Sequence, residues 1–256
     1  MTAIDVFSLT TVPVEQCANG NPFGTATAFV WRRGQQHYLI TNWHVVTGRN
    51  AQTGVLEAIV QPDMLRAHFN TRIMDFGKKQ IDIKIRDDDN RPLWYAHPTR
   101  QRGSDLAAIP LPIDGNDPIV NMYPINSLKS EADLAVRIGM DVFILGYPFG
   151  YSPPGFPVWK RGSIASEPDL VHFGAGYHLV DTASRPGMSG APVIRRSWGT
   201  HFLEGDAISS DSTPQSKFIG VYSGRLYTSD KSDAQIGMVW PIRDIEDIVS
   251  VEKRDE

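Results

Sequence analysis

The stretch VDTASRPGMSGAPVI, residues 180–194, carries the reading on which the fold turns. Its two ends belong to apolar runs, 177–182 and 191–195, that read as strands. Between them lies Pro186-Gly187-Met188-Ser189-Gly190. A Ser flanked by Gly in a tight turn can bring its own N–H and that of Gly187 to one spot beside its hydroxyl. That is the geometry in which developing negative charge meets preorganised donors. Gly187 matters because a side chain there forces its N–H elsewhere. Alone, such a turn is an ordinary connection between strands, and it gains meaning from what surrounds it.

The surroundings are strands. The chain of 256 residues holds 22 Gly and 18 Pro, spread along its length and separating many short apolar runs. This texture predicts an all-β protein. Residues 27–31 and 37–41 read as two strands around the turn Arg32-Arg33-Gly34. In 81–86, Ile81, Ile83 and Ile85 alternate with Asp82, Lys84 and Arg86, the period of a half-buried strand. Further strands are expected at 106–111, 141–146, 177–182, 191–195, 218–223 and 236–240. A helix is expected over 242–251, where Ile242, Ile245, Ile248 and Val249 share a face behind Pro241. A second, short helix is expected over 131–136 after Ser130. The polar stretch 197–217 reads as a long loop near a substrate cleft, and 148–157 as an ordered, Pro-rich surface loop.

Hydrophobic residues make up 41% and charged residues 21%, which excludes disorder and fibrous repeats. The net charge of −4 argues against a broad nucleic-acid or polybasic membrane surface. One cysteine, Cys17, allows no intrachain disulfide and no zinc site built from cysteine pairs. Asp87-Asp88-Asp89-Asn90 lacks the spaced ligands and Gly of a calcium loop, so no metal and no cofactor is expected. With no basic leader and no apolar run long enough to cross a bilayer, a cytoplasmic location is expected.

A Ser hydroxyl needs a base. His44 closes the run 39–46, LITNWHVV, where a strand gives way to a turn. Read alone, it is a packed core histidine. The other six histidines carry no assigned role. A base in turn needs an acid to fix its tautomer. Asp105 stands immediately before the apolar run 106–109, and by itself it reads as a strand-end cap. His44 and Asp105 are 61 residues apart, and Asp105 and Ser189 are 84 apart. The order His, Asp, Ser belongs to the chymotrypsin-like arrangement and differs from the subtilisin and α/β-hydrolase orders.

At this point the chain resembles the HtrA/Deg branch of the chymotrypsin-like serine proteases. The resemblance rests on 25–46 with TNWHVV, on SDLAAI at 104–109, and on RIGMDVFILGYPFG at 137–150. It continues through WKRGSIAS at 159–166, VDTASRPGMSGAPVI, FIGVYSG at 218–224 and GMVWPI at 237–242. It implies two six-stranded antiparallel β-barrels with a C-terminal helix, divided as 1–125, carrying His44 and Asp105, and 126–256, carrying Ser189. It implies a serine endopeptidase with Ser189 as nucleophile, His44 as general base and Asp105 orienting it. Gly187 and Ser189 would supply the oxyanion hole. Met188 departs from the Asn or Asp usual in the family, which argues against activation by a freed N-terminal amine. A trailing peptide-binding (PDZ) domain and a secretion signal, both usual in the branch, are not expected here.

In the implied fold, Ala183, Ser184, Ser223, Gly224 and Arg225 line the specificity pocket. The position six before Ser189 is Ala183, not an acid, which disfavours cleavage after Lys or Arg. The small residues suggest a small or medium apolar side chain. Arg185 or Arg225, if turned inward, would favour an acidic one instead, although surface solvation is the plainer reading of both. The expected partner is a protein or peptide substrate, with no nucleic acid and no membrane. Two alternatives share the fold, a catalytically silent peptide-binding module and an enzyme switched on by a partner.

Overall fold

A computed structural model describes residues 4–73, 77–113, 115–128, 133–150, 155–168, 176–183, 185–225 and 236–255. After a short helix α1 (Val6–Thr10), the first half of the chain forms one antiparallel sheet. Its strands are β1 (Thr11–Ala18), β2 (Asn21–Arg33), β3 (Gln36–Thr41), β4 (Met64–Thr71), β5 (Lys78–Lys84), β6 (Ala107–Pro110) and β7 (Val120–Asn121). Their order is β5-β4-β1-β2-β3-β6, with β7 added on β4. Beyond β5 the Leu93 N–H bonds to the Ile85 carbonyl, and Tyr95 bridges Ala108 on β6. The segment 85–95 thus carries the pairing round from one edge of the sheet to the other. A helix α2 (Trp43–Thr47) follows β3.

The second half is a closed barrel of β8 (Asp141–Gly146), β9 (Val158–Ile164), β10 (His178–Asp181), β11 (Pro192–Phe202), β12 (Ile208–Arg225) and β13 (Ile236–Pro241). Its order is β10-β13-β12-β11-β8-β9, and helix α3 (Ile242–Val251) ends the fold. This is the chymotrypsin-like double barrel with its terminal helix. Among the described residues, no helix is long and apolar enough to cross a membrane.

Alternation along the strands sorts the core into three parts. On β2, Ala28 and Val30 face the core of the first sheet, with Leu39, Leu65, Phe69 and Ile109. Phe29 and Trp31 face the other way and pack with Tyr38, Leu106, Leu145, Val221, Trp240 and Ile245. That second cluster joins the two halves and seats α3. The third cluster, with Val142, Ile144, Met188, Val193 and Tyr222, fills the second barrel.

Three expectations change. Residues 197–217 are not a loop: β11 and β12 run through them as a long hairpin, turning at Glu204–Asp206. Both faces of its tip are exposed, so no apolar alternation marks it as sheet. The short helix at 131–136 does not form over its described part. Leu134 instead bridges Leu203, and the Ala135 N–H bonds to the Phe202 carbonyl, while 131–132 lie outside the described residues. The turn expected at His44 is the five-residue helix α2. The strand β1 carried no prior expectation at all. The surface loop expected over 148–157 is described only at its ends.

Candidate active site

His44 is fixed from below by its own helix. Val45 and Val46 are buried in the first core and pin α2 to the sheet. Gly48 adopts φ +69° and returns its N–H to the His44 carbonyl, ending the helix in the left-handed manner that favours glycine. The imidazole is left half-buried.

Asp105 enters from the segment before β6. It is buried between the buried Ser104 and Leu106. Its Oδ1 accepts the His44 backbone N–H at 2.9 Å, and its Oδ2 lies 2.7 Å from His44 Nδ1. Ser223 Oγ also donates to Oδ2, at 2.5 Å. The neighbouring Asn42 donates to the Asp105 backbone carbonyl at 2.8 Å. This carboxylate therefore grips both the backbone and the ring of one histidine. Ser104, next to it, donates to the fully buried Asp244 of α3, which also pairs with Arg100.

The charge state of His44 reflects two opposing influences. Burial works against the imidazolium. The charge of Asp105, its hydrogen bond and the more distant charge of Glu57 outweigh that, and the His44 pKa is raised above 6.5. Glu57 is held close because its N–H and that of Ala58 both bond to the Gly48 carbonyl, each at 2.9 Å.

The turn carrying Ser189 is clamped from both halves. Thr27, on β2, donates its N–H to the Ser189 carbonyl at 2.8 Å and its hydroxyl to the Gly187 carbonyl at 2.8 Å. The same hydroxyl accepts the Tyr147 N–H at 3.1 Å. The Gly190 N–H bonds to the Tyr222 carbonyl on β12. Gly187 has φ +92°, and a Cβ there would overlap the Tyr147 carbonyl oxygen. Met188 points into the second core against Gly146, Ile144 and Tyr222. An apolar anchor thus holds the turn between Gly187 and Ser189. Among the described residues, no backbone carbonyl takes the N–H of Gly187 or of Ser189. Gly224 approaches Ser189: a Cβ on it would stand 4.0 Å from Ser189 Oγ. No hydrogen bond joins Ser189 Oγ to the His44 ring among the described residues, a separation common before substrate binds.

The expected pocket residues are distributed unevenly. Ala183 packs beside Ile144, Lys160, Thr182, Met188 and Tyr222 around a crevice too narrow to admit a water molecule. The Ser223 hydroxyl is turned to Asp105. Arg225 ends β12 opposite Gly237, and its side chain, like all of Ser184, lies outside the described residues. Sequence reasoning missed Thr27 and Glu57, and no signal in the sequence pointed to either. Among the described residues, no group of three His, Cys, Asp or Glu side chains could hold a metal ion.

No curated protein sequence matches the chain. Two solved structures resemble it in fold. The serine endoprotease from Yersinia pestis aligns with a TM-score of 0.50 at 14% identity, over 95% of this chain and 62% of that one. The chain thus spans about three fifths of that protein. The Rv3671c protease from M. tuberculosis, in its active form, aligns with a TM-score of 0.52 at 17% identity, over 95% of this chain and 81% of that one. Residues 26–199, which run from β2 through the candidate triad into β11, match the trypsin-like peptidase domain, and the chain belongs to that family.

Proposed function

We propose that the protein is a serine endopeptidase acting through His44, Asp105 and Ser189, in a cleft between the halves 1–125 and 126–256. The observation that carries the reading is the double grip of Asp105 on the N–H and Nδ1 of His44, beside the Gly187–Ser189 turn. With Nδ1–H bonded to the carboxylate, Nε2 holds a lone pair and can take the Ser189 proton. Ser189 Oγ then attacks the scissile carbonyl carbon. The oxyanion that forms meets the N–H groups of Gly187 and Ser189. His44 returns the proton to the leaving amine as the C–N bond breaks. Water, activated by the same histidine, hydrolyses the acyl-enzyme and releases Ser189. The end of β12 at Ser223–Arg225 offers backbone for an extended substrate to pair with.

A second reading, in which a bound substrate or partner completes the site, is favoured by the apolar seating of Met188 between Gly187 and Ser189. A fluorophosphonate probe separates these readings from a silent binding module. The probe labels Ser189 in an active or activatable enzyme, and partner-dependent labelling identifies the second case. Ser189→Ala abolishes labelling and lowers turnover by about 10⁶-fold if the three residues act as a unit. Folded protein that stays unlabelled with and without peptides overturns the enzymatic reading.

A further inference from the structure

We infer that Asp255 is a positioning residue for His44, which it holds through the indole of Trp43. The inference rests on the serine-peptidase reading above and names a support of the base that lies outside the candidate triad. After α3, Glu252 takes φ +55° and turns the chain back over the first sheet. The Glu252 carboxylate accepts from the Tyr38 hydroxyl of β3. The Lys253 carbonyl accepts the Ala96 N–H at 3.1 Å, and the Arg254 guanidinium lies 4.5 Å from the Tyr95 ring centre. The segment 252–255 is thus a strap laid across the first sheet.

Within the strap, Asp255 Oδ2 accepts two indole N–H groups, from Trp43 at 2.7 Å and from Trp94 at 3.2 Å. Both indoles are buried, and an indole nitrogen can only donate, so each needs an acceptor. With its amide oriented by its neighbours, Gln101 donates to the other oxygen, Oδ1, at 3.2 Å. Trp43 is the first residue of α2 and His44 the second. A helix of five residues has little stability of its own. The Asn42 side chain does not cap it, and donates to the Asp105 carbonyl instead. The start of α2 therefore depends on two carboxylates. Asp105 takes the His44 N–H, and Asp255 takes the Trp43 indole. A charge-assisted bond fixes the indole in one pose, and the indole fixes the stretch of backbone that carries His44. The charges that raise the His44 pKa are those of Asp105 and Glu57. Asp255 thus acts on the place of the ring and not on its proton.

The test compares Asp255→Ala, Asp255→Asn and Trp43→Phe by kcat, KM, pH profile and fluorophosphonate labelling of Ser189. Asp255→Ala removes the acceptor and is expected to lower kcat and the labelling rate by about ten- to a hundredfold, the scale of a misplaced catalytic group. KM, the final extent of labelling and the acid-limb midpoint stay native. Asp255→Asn keeps an acceptor oxygen for the indoles and is expected to return the rate to within about threefold of native. Trp43→Phe removes the N–H and keeps an apolar ring. It is expected to slow the enzyme as Asp255→Ala does, and the two losses do not add in the double variant. Rates within about threefold of native in Asp255→Ala or Trp43→Phe overturn the inference while leaving the peptidase reading intact. So does a slow rate matched by an equal fall in the labelled fraction, which marks lost folding instead of a misplaced base. Native protein that neither labels nor cleaves overturns both. Should Asp255→Ala fail to fold, Trp43→Phe decides the matter alone.

Discussion

Replacing Asp105 by Asn probes the centre of the proposed mechanism with almost no change in shape. Oδ1 of Asp105 accepts the His44 backbone N–H, while Oδ2 accepts from the His44 ring and from Ser223. An amide has one acceptor oxygen and one donor nitrogen. With its oxygen kept at the backbone N–H, the amide NH2 faces His44 Nδ1. The ring must then carry its proton on Nε2, and it can no longer accept one from Ser189. With the amide reversed, NH2 meets the backbone N–H donor head-on and leaves it unsatisfied, at a cost of about 1–3 kcal/mol. The first arrangement is therefore favoured, and it disables the base. The analogous change in a related triad costs about 10⁴ in kcat, and a loss of that order is expected here. The substitution also removes the charge that raises the His44 pKa. General-base activity requires neutral imidazole, so in the native enzyme kcat/KM rises with pH through a midpoint above 6.5. In Asp105→Asn, burial is opposed only by Glu57, and the midpoint of any residual activity moves down. Rates measured from pH 5 to 9, with probe labelling as a second readout, check both points. Activity within about tenfold of native, or a midpoint that does not fall, refutes the assignment of Asp105.

Three further outcomes are expected. Glu57→Gln lowers the acid-limb midpoint of kcat/KM less than Asp105→Asn does, because Glu57 acts on His44 by charge alone, and leaves the rate on the alkaline plateau near native. Gly187→Ala forces a side chain into a left-handed position against the Tyr147 carbonyl and slows probe labelling by at least about a hundredfold, the scale of losing one oxyanion donor. Thr27→Val leaves the Gly187 carbonyl and the Tyr147 N–H without their buried hydroxyl partner, and costs about 1–3 kcal/mol of stability in denaturant titration.

Much of the fold was legible because it follows simple periods. The alternation of Ile81, Ile83 and Ile85 places them on β5 and the segment continuing it. The spacing of Ile242, Ile245, Ile248 and Val249 gives α3 over the expected residues. The β11–β12 hairpin was not legible, because pairing there is between backbones while both faces of the tip meet water. Helix α2 is too short to show a period, and its apolar residues belong as readily to a strand. Within the site, the order of His44, Asp105 and Ser189 could be read along the chain because the residue types are chemically distinctive. Glu57 and Thr27 could not, since each acts through a long-range contact that only the closed fold creates.

Thr27 has one more consequence. Its amide belongs to the first sheet, while its acceptor, the Ser189 carbonyl, belongs to the second barrel. Deuterium can reach that amide only when the two halves part or one of them opens. The exchange rate of this single proton therefore measures how often the Ser189 turn loses its support. A peptide seated across both halves would slow that exchange without touching Thr27 itself.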